Sequence, residues 1–301
     1  MAHTRVTIMI NRRQSRWLQS LRLLAIRLWQ MRRVLLLVIP YFLLFGWLFS
    51  GNPAGDVRPD ELYGIRETPQ WKAPDGEHWF GTAANGADLF DLTRLALART
   101  ASVAVVAVSV GIGLALLVTM LFVFDPREDR FAWLGRFTRA SVSLPGMVVL
   151  VILAGGSGGG VLVVMSGLAL LVVPWLCPVL CRWFEEGEEG FEIVAARVLG
   201  LSRREIVLGR VLPFVLRRLP GVFAVIVPVA MLVEMALSFL GFHGDRLNLG
   251  LMIERGQVYL IEAPWMAIYP GMLATVVVAA FSLLGWRVFS ALRTGPLPPY
   301  L

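Results

Sequence analysis

Glu234 is the one ionisable residue that the sequence places well inside a long apolar run, VIVPVAMLVEMALSFLG. A charge at the centre of a bilayer costs about 3 kcal/mol on insertion scales, so such a residue usually faces a partner or a watery path. Glu234, together with Ser238 in the same run, is therefore a candidate for the lining of a solute path. The alternative, which the pattern favours slightly, is a structural carboxyl group that hydrogen-bonds to a neighbouring helix.

Other patterns that carry chemistry are missing from the sequence. It contains no G-x-x-x-x-G-K-[ST] stretch, no HExxH zinc motif and no Ser-His-Asp candidate set. Cys177 and Cys181 end an apolar run, which favours small lipid-facing or core-facing residues over a metal site. The histidines, His3, His78 and His243, are scattered. We therefore expect no catalytic residue, metal or cofactor in this chain.

The composition indicates a membrane protein. Of the 301 residues, 57% are hydrophobic and only 16% are charged, and the mean hydropathy is +0.69. An ordinary soluble domain is less apolar than this. The net charge of +7 would also suit a nucleic-acid partner, but no soluble module interleaves basic and aromatic residues. The sequence therefore predicts an all-helical polytopic membrane protein that binds no nucleic acid.

Candidate membrane spans follow from the apolar runs. About 20 apolar residues in a helix cross the roughly 30 Å hydrocarbon core of a bilayer. The first and third candidates are short and need flanking residues to reach that length. The first run lacks a cleavage site, so we expect it to stay in the protein. The six runs are Val34 to Phe49, Ala101 to Phe124, Ala140 to Ala154, Val161 to Leu180, Leu219 to Leu240 and Trp265 to Phe289.

The distribution of Arg and Lys predicts the orientation of these spans. The tail 1–33 has eight Arg and no acid, so the positive-inside rule places it in the cytoplasm. Six spans then return the C-terminus to the same side, with 21 basic residues inside and 7 outside. The predicted parts are an amphipathic Arg-rich tail on the inner leaflet, 1–33; a first span, 34–50; an irregular external lobe, 51–100, with a short helix from about Ala87 to Arg99; a core, 101–293, with a cytoplasmic loop, 182–218; and a short tail, 294–301.

The cytoplasmic loop contains a charged, helix-forming segment, FEIVAARVLGLSRREIVLGRVLP, between two apolar runs. Ala195 and Ala196 precede Gly200 by four to five residues, and Leu212 and Pro213 close the segment. The order predicts a helix, a flexible break, a second helix and a proline stop. An interfacial helix pair would explain the amphipathic pattern but not this fixed order of small residues, glycine and Leu-Pro. We expect the segment to dock on a cytosolic partner.

The same order resembles the EAA loop of bacterial ABC importer permeases, with Val194 where that loop has glutamate. Further motifs resemble the C-type permease subunit of the dipeptide, oligopeptide and nickel transporter family. The matches occur in family order over about residues 78 to 293. They are Gly81-Thr82, Gly86 and Asp88 before the second span, Glu234 with Ala236 to Gly241 in the fifth, and Ala263-Pro264-Trp265 through Pro270-Gly271 at the start of the sixth.

This resemblance implies a six-helix, type I importer-like permease subunit in the bacterial inner membrane, with both termini cytoplasmic. It implies a related second permease as heterodimer partner, two cytosolic ATPases that bind ATP, and an external solute-binding protein that delivers peptides, with nickel or another small solute as alternatives. It assigns ATPase coupling to six residues, Ala195, Ala196, Leu199, Gly200, Leu212 and Pro213. Two other classes remain open: a self-contained secondary transporter with a proton on Glu234, and a membrane scaffold that recruits cytosolic proteins.

Overall fold

The computed structural model describes residues 71–124, 146–156, 160–189, 200–242 and 246–293, with Gly46, Ile193, Ala196 and Val198 as isolated positions. All of these belong to one compact unit, Phe45–Leu301. Regular structure in the described residues is helical, apart from one isolated bridge between Thr82 and Asp88. The prediction of a mostly helical chain is therefore confirmed.

Four stretches of the described residues are long and apolar enough to cross a membrane. They support the prediction of a multi-pass membrane protein. A shorter apolar helix overlaps the third predicted span, and the first predicted span lies outside the described residues except for Gly46. The spans are α1, Leu89–Val123; α3, Val161–Glu188; the continuous stretch Arg203–Phe239; and α7, Trp265–Arg293, of which Trp265–Ser290 meets the criterion. The shorter helix α2 is Gly146–Gly156.

The third of these spans has three parts, and two short helical pieces follow it. The stretch Arg203–Phe239 consists of a short α-helix, a five-residue π-helix and a long α-helix. A short helix and a 3₁₀ turn then lead towards α7. In chain order these pieces are α4, Arg203–Ile206; the π-helix, Val207–Val211; α5, Leu212–Phe239; α6, Leu249–Gly256; and the 3₁₀ turn, Gln257–Tyr259.

The core of the described unit forms where α1 packs along α3 and against α5, while α5 packs against α7. A stripe of small buried residues on α1 lets the neighbouring backbones approach closely, as in other membrane helix pairs. A Cβ atom added at Gly111 would lie 2.7 Å from both Ala169 O and Val172 Cβ of α3. The stripe consists of Ala104, Ala107, Gly111 and Ala115.

The segment before α1 is irregular and ends in a strong helix cap. Asp88 Oδ1 accepts hydrogen bonds from Phe90 N at 2.8 Å and Asp91 N at 3.2 Å, and Asp88 Oδ2 lies 2.8 Å from His78 Nδ1. Earlier in the segment, the backbone N–H of His78 donates to Asp75, which lowers the pKa of that exposed carboxyl group. The helix predicted from about Ala87 to Arg99 is present from Leu89, and it continues without a break into the second span as far as Val123. Nothing between those residues interrupts the helical hydrogen bonds.

The predicted proline stop at Pro213 is wrong. The backbone continues as helix through Pro213 to Phe239. The π-helix before Pro213 makes this possible. Leu212 N donates to Val207 O in the wider turn, and Pro213 then lies in the first turn of α5, where a missing N–H is tolerated.

The close contact of α1 with α3 can be tested by adding one methyl group. Gly111→Ala should destabilise the fold by about 1–3 kcal/mol because the new Cβ meets backbone and a β-branched side chain. Gly113→Ala is the matched control, since its Cβ has nothing within 4 Å and alanine favours the helix. The apparent melting temperatures of the detergent-solubilised variants check this. Equal melting temperatures would contradict a tight α1–α3 contact.

Candidate functional site

The loop between α3 and α5 turns sharply at Gly200. Ile193, Ala196 and Val198 are helical, and Gly200 has a φ of +82°, a conformation that glycine adopts without steric cost. The backbone N–H of Leu201 donates to Ala196 O at 3.2 Å. This bond and the left-handed glycine form a Schellman motif, which ends the first helix of the loop. The break predicted at Gly200 is therefore present and has a defined geometry.

The second helix of the loop starts two residues later with a capping box. Ser202 N donates to Glu205 Oε2 at 2.8 Å, and Glu205 N donates back to Ser202 Oγ at 3.4 Å. This reciprocal pair satisfies two backbone donors at the start of α4. Caps on both sides of Gly200 hold the turn in one shape, and we call this turn at Gly200 the corner.

The corner exposes apolar side chains. Val198 is 83% exposed, Leu201 41% and Leu208 52%, whereas Ala196 is only 2% exposed. Ala196 is buried within this chain, so its side chain offers little contact area to a partner. Val198 and Leu201 offer more, because they are larger and more exposed beside the turn. Exposed apolar side chains beside a turn are candidates for contact with a partner. We name Val198, Leu201 and Leu208 the corner surface.

The other residues assigned to this loop differ in exposure. Leu212 and Pro213 are half-buried at the start of α5. Gly200 itself is exposed. Ala195 and Leu199 lie outside the described residues.

Ion pairs join α4 and α5, which follow the corner, to the end of α3. Arg218 donates to Glu186 at 2.7 Å and lies over the Phe214 ring at 4.1 Å from its centroid. Arg203 approaches Glu188 at 3.6 Å. Each pair has one solvent-exposed partner, Arg203 or Glu186, and such pairs contribute little to stability. Their joint effect is to orient the loop against the helix that precedes it.

A second site surrounds Glu234 at the other end of α5. Glu234 is 3% exposed, and its Oε1 accepts a hydrogen bond from Ser238 Oγ at 3.2 Å. The Thr100 hydroxyl lies near the same carboxyl group, but Oε2 has no hydrogen-bond partner. The structure thus brings together Glu234 and Ser238, the two residues predicted to line a path.

These residues line a pocket with a volume of about 60 Å³, which is enough for several water molecules. It lies between the N-terminal half of α1, the first turn of α3, the end of α5 and the connection to α6. Sequence reasoning missed Arg99 and Arg246, because neither stands out locally. The lining consists of Arg99, Ser102, Val103, Val161, Val164, Glu234, Ser238, Phe242, Arg246, Leu247 and Asn248.

The described residues contain no group of three or more potential metal ligands. Cys177 and Cys181 are both buried, and Cys177 Sγ lies 3.7 Å from Ala115 O on α1. Cys177 therefore packs α3 against α1, as a small apolar residue does.

Comparison with known proteins gives relatives over most of the chain, although no family model matches it. The oligopeptide transport system permease protein OppC of Mycobacterium tuberculosis H37Rv is 25% identical over 218 residues, which cover 70% of this chain and 74% of the relative. A putative peptide transport system permease protein of Brucella suis is 26% identical over 255 residues, 84% of this chain and 82% of the relative. Over most of its length, the chain is therefore similar to proteins that are named as peptide transport permeases.

Two further comparisons agree with this relationship. The probable D,D-dipeptide transport system permease protein DdpC of Escherichia coli K12 is 24% identical to the chain over 255 residues, 84% of this chain and 82% of that one. A chain in the crystal structure of an amino acid ABC transporter with histidines superimposes with a TM-score of 0.52 at 16% identity, covering 67% of this chain and 94% of that one. At 16% identity, this comparison shows similarity of fold alone.

The built shape of the corner can be tested at Gly200. Gly200→Ala forces a left-handed backbone on a residue with a Cβ atom, which costs about 1 kcal/mol and should loosen the Schellman turn. Hydrogen exchange at Leu201 should become faster as its bond to Ala196 opens. Gly209→Ala is the control, because its φ is negative and its Cβ would meet nothing within 4 Å. Unchanged exchange in the Gly200 variant would refute the motif.

Proposed function

We propose that this chain is a permease subunit of an ATP-binding-cassette importer that moves peptides across the bacterial inner membrane. The observation that carries the proposal is its similarity, over 70–84% of its length, to proteins named as peptide transport permeases. The four span-length helices and the likeness of fold to an ABC transporter chain support it. The chain itself needs no cofactor, since ATP binds to separate subunits.

The proposed arrangement has six spans. The segment 34–50 and the region around α2 add two spans to the four already described. The Arg-rich tail 1–33 and the short tail 294–301 then lie in the cytoplasm, and the lobe 51–100 faces outward. The core 101–293 carries the loop 182–218 on the cytoplasmic side. A related permease completes the translocation path as the other half of a heterodimer.

The corner surface is proposed to dock on the ATPase subunits. Its exposed Val198 and Leu201 flank a turn whose geometry is held by caps on both sides. A rigid corner transmits displacement, whereas a flexible loop absorbs it. Because the corner is tied by ion pairs to α3 and is continuous with α5, movement of an ATPase would tilt both helices. Such a rigid-body shift is one way to alternate inward-facing and outward-facing states.

The roles assigned to individual residues follow from this arrangement. Gly200 supplies the turn, and Ala196 packs the corner against the chain's own interior. Leu212 and Pro213 start the helix that carries the movement into the membrane. Ala195 and Leu199 are proposed to complete the docking helix. Glu234 and Ser238, which line the pocket at the far end of α5, are proposed to border the solute path.

If the ATPase subunits bind at the corner surface, a charge introduced there should weaken that binding. Val198→Glu should weaken co-purification of the ATPase subunits at least tenfold, because a desolvated carboxylate replaces an apolar contact. Val258→Glu is the matched control: Val258 is 73% exposed on the 3₁₀ turn beyond α6, at the opposite end of α5. Equal ATPase recovery with both variants would overturn the docking surface. Membrane insertion of each variant is checked by fractionation.

The transport function itself predicts ATP-dependent uptake. Proteoliposomes that hold the chain with its partner permease, ATPases and binding protein should accumulate a labelled dipeptide only when ATP is supplied. Uptake by the chain alone under a pH gradient would instead favour the secondary transporter, in which the buried Glu234 carries a proton. Substrate-stimulated ATP hydrolysis in the same preparation would exclude the scaffold.

A further inference from the structure

The pocket at the end of α5 contains a buried carboxylate oxygen without a partner. Glu234 is 97% buried, since only 3% of it is exposed, and it lines the pocket while its Oε2 forms no hydrogen bond. A buried acceptor that stays unpaired is unfavourable, and the cost is greater when the group is charged. The oxygen therefore favours any donor that enters the pocket.

The hydroxyl groups that line the pocket have no proton left for a ligand. Ser102 Oγ donates to Arg99 O at 2.8 Å, and Ser238 Oγ donates to Glu234 Oε1 at 3.2 Å. Each hydroxyl oxygen can therefore only accept a further hydrogen bond. Together with Glu234 Oε2, these oxygens offer three acceptors, which equals the number of donors on a primary ammonium group.

The positive groups of the pocket lie closer to its mouth. Arg99 is half-buried and Arg246 is exposed, so both are more accessible than Glu234. Neither guanidinium forms an ion pair within the part of the chain that the structure describes. Arginine binds carboxylates through planar, paired hydrogen bonds. The pocket thus presents acceptors at depth and cationic donors at its opening.

We propose that this pocket binds a short zwitterionic solute by its two charged ends. The α-ammonium group enters the pocket and donates to Glu234 Oε2, Ser102 Oγ and Ser238 Oγ, while the carboxylate stays at the mouth beside Arg99 and Arg246. The volume of about 60 Å³ suits an ammonium group and its nearest atoms rather than a whole peptide. The proposal rests on the function proposed above and assigns substrate-end recognition to the permease itself.

A metal ion fits the same pocket poorly. Glu234 is the one carboxylate among its lining residues, and two arginines accompany it. Metal ions that bind oxygen need several ligands, and neighbouring cations oppose them. An organic ammonium needs only hydrogen-bond acceptors and tolerates arginines that bind its own carboxylate.

The test uses the whole transporter complex in nanodiscs, without the binding protein, whose own selectivity would mask that of the pocket. The probes are dialanine, N-acetyl-dialanine and dialanine amide, and their affinities are measured by titration calorimetry. Glu234→Gln should weaken dialanine about tenfold or more and leave the N-acetyl form unchanged. Arg246→Gln should weaken dialanine and leave the amide unchanged.

Two control variants match these changes in charge. Glu262→Gln removes an exposed carboxylate outside the pocket, and Arg217→Gln removes an exposed guanidinium near the start of α5. Neither should alter the affinity for any probe. Because Arg246 is exposed, its replacement tests the proposal even where the buried Glu234 replacement lowers the yield of folded complex.

The outcomes separate this proposal from the proposed function. The proposed binding mode is refuted if the Glu234→Gln variant binds all three probes as tightly as the wild type does, or if it loses the same affinity for all three. Glu234 would then be a structural carboxyl group. ATP-driven uptake of dialanine by the same variants then shows whether import survives that failure. Conversely, selective binding without ATP-driven uptake in the wild type supports the pocket and refutes the importer.

Discussion

The close packing of α1 against α3 and α5 is the contact on which the rest of the described structure depends. Lipid tails are as apolar as the helix surfaces, so the hydrophobic effect does not drive helices together within a bilayer. Helices associate instead where their backbones approach closely. The small residues on α1 permit that approach, and Gly111 leaves no room for even one methyl group. The packing also joins four helices in one cluster: Ala107 of α1 lies among Leu150 of α2, Leu168 of α3 and Leu237 of α5.

This packing gives the two sites a common mechanical frame. α3 begins at the pocket and ends beside the corner, whereas α5 runs from the corner back to the pocket. Each helix has 28 residues, so the sites are separated by about 40 Å of helix. The π-helix at the start of α5 keeps that path continuous through Pro213. The corner and the pocket are therefore connected by packed, hydrogen-bonded helices.

Local patterns predicted much of the fold and part of each site. The apolar runs from Val161, Leu219 and Trp265 became α3, α5 and α7, because an apolar segment of that length must satisfy its backbone internally. The break at Gly200 was predicted from the glycine and appears as a left-handed cap. The prediction that Pro213 ends the helix was wrong. It assumed that proline follows an ordinary α-helical turn, whereas a wider π turn precedes Pro213 in the structure.

The sequence by itself determined that the chain is helical and apolar enough for the membrane, that its loop breaks at Gly200 and that one acid lies within a span. These are local properties, set by side-chain polarity, glycine freedom and run length. Only the tertiary structure decided that Ala196 faces inward while Val198 and Leu201 face outward, and that Arg99 and Arg246 join Glu234 in one pocket. Those residues are separated by up to 147 positions along the chain (246 − 99), and contacts at such range depend on how the helices pack.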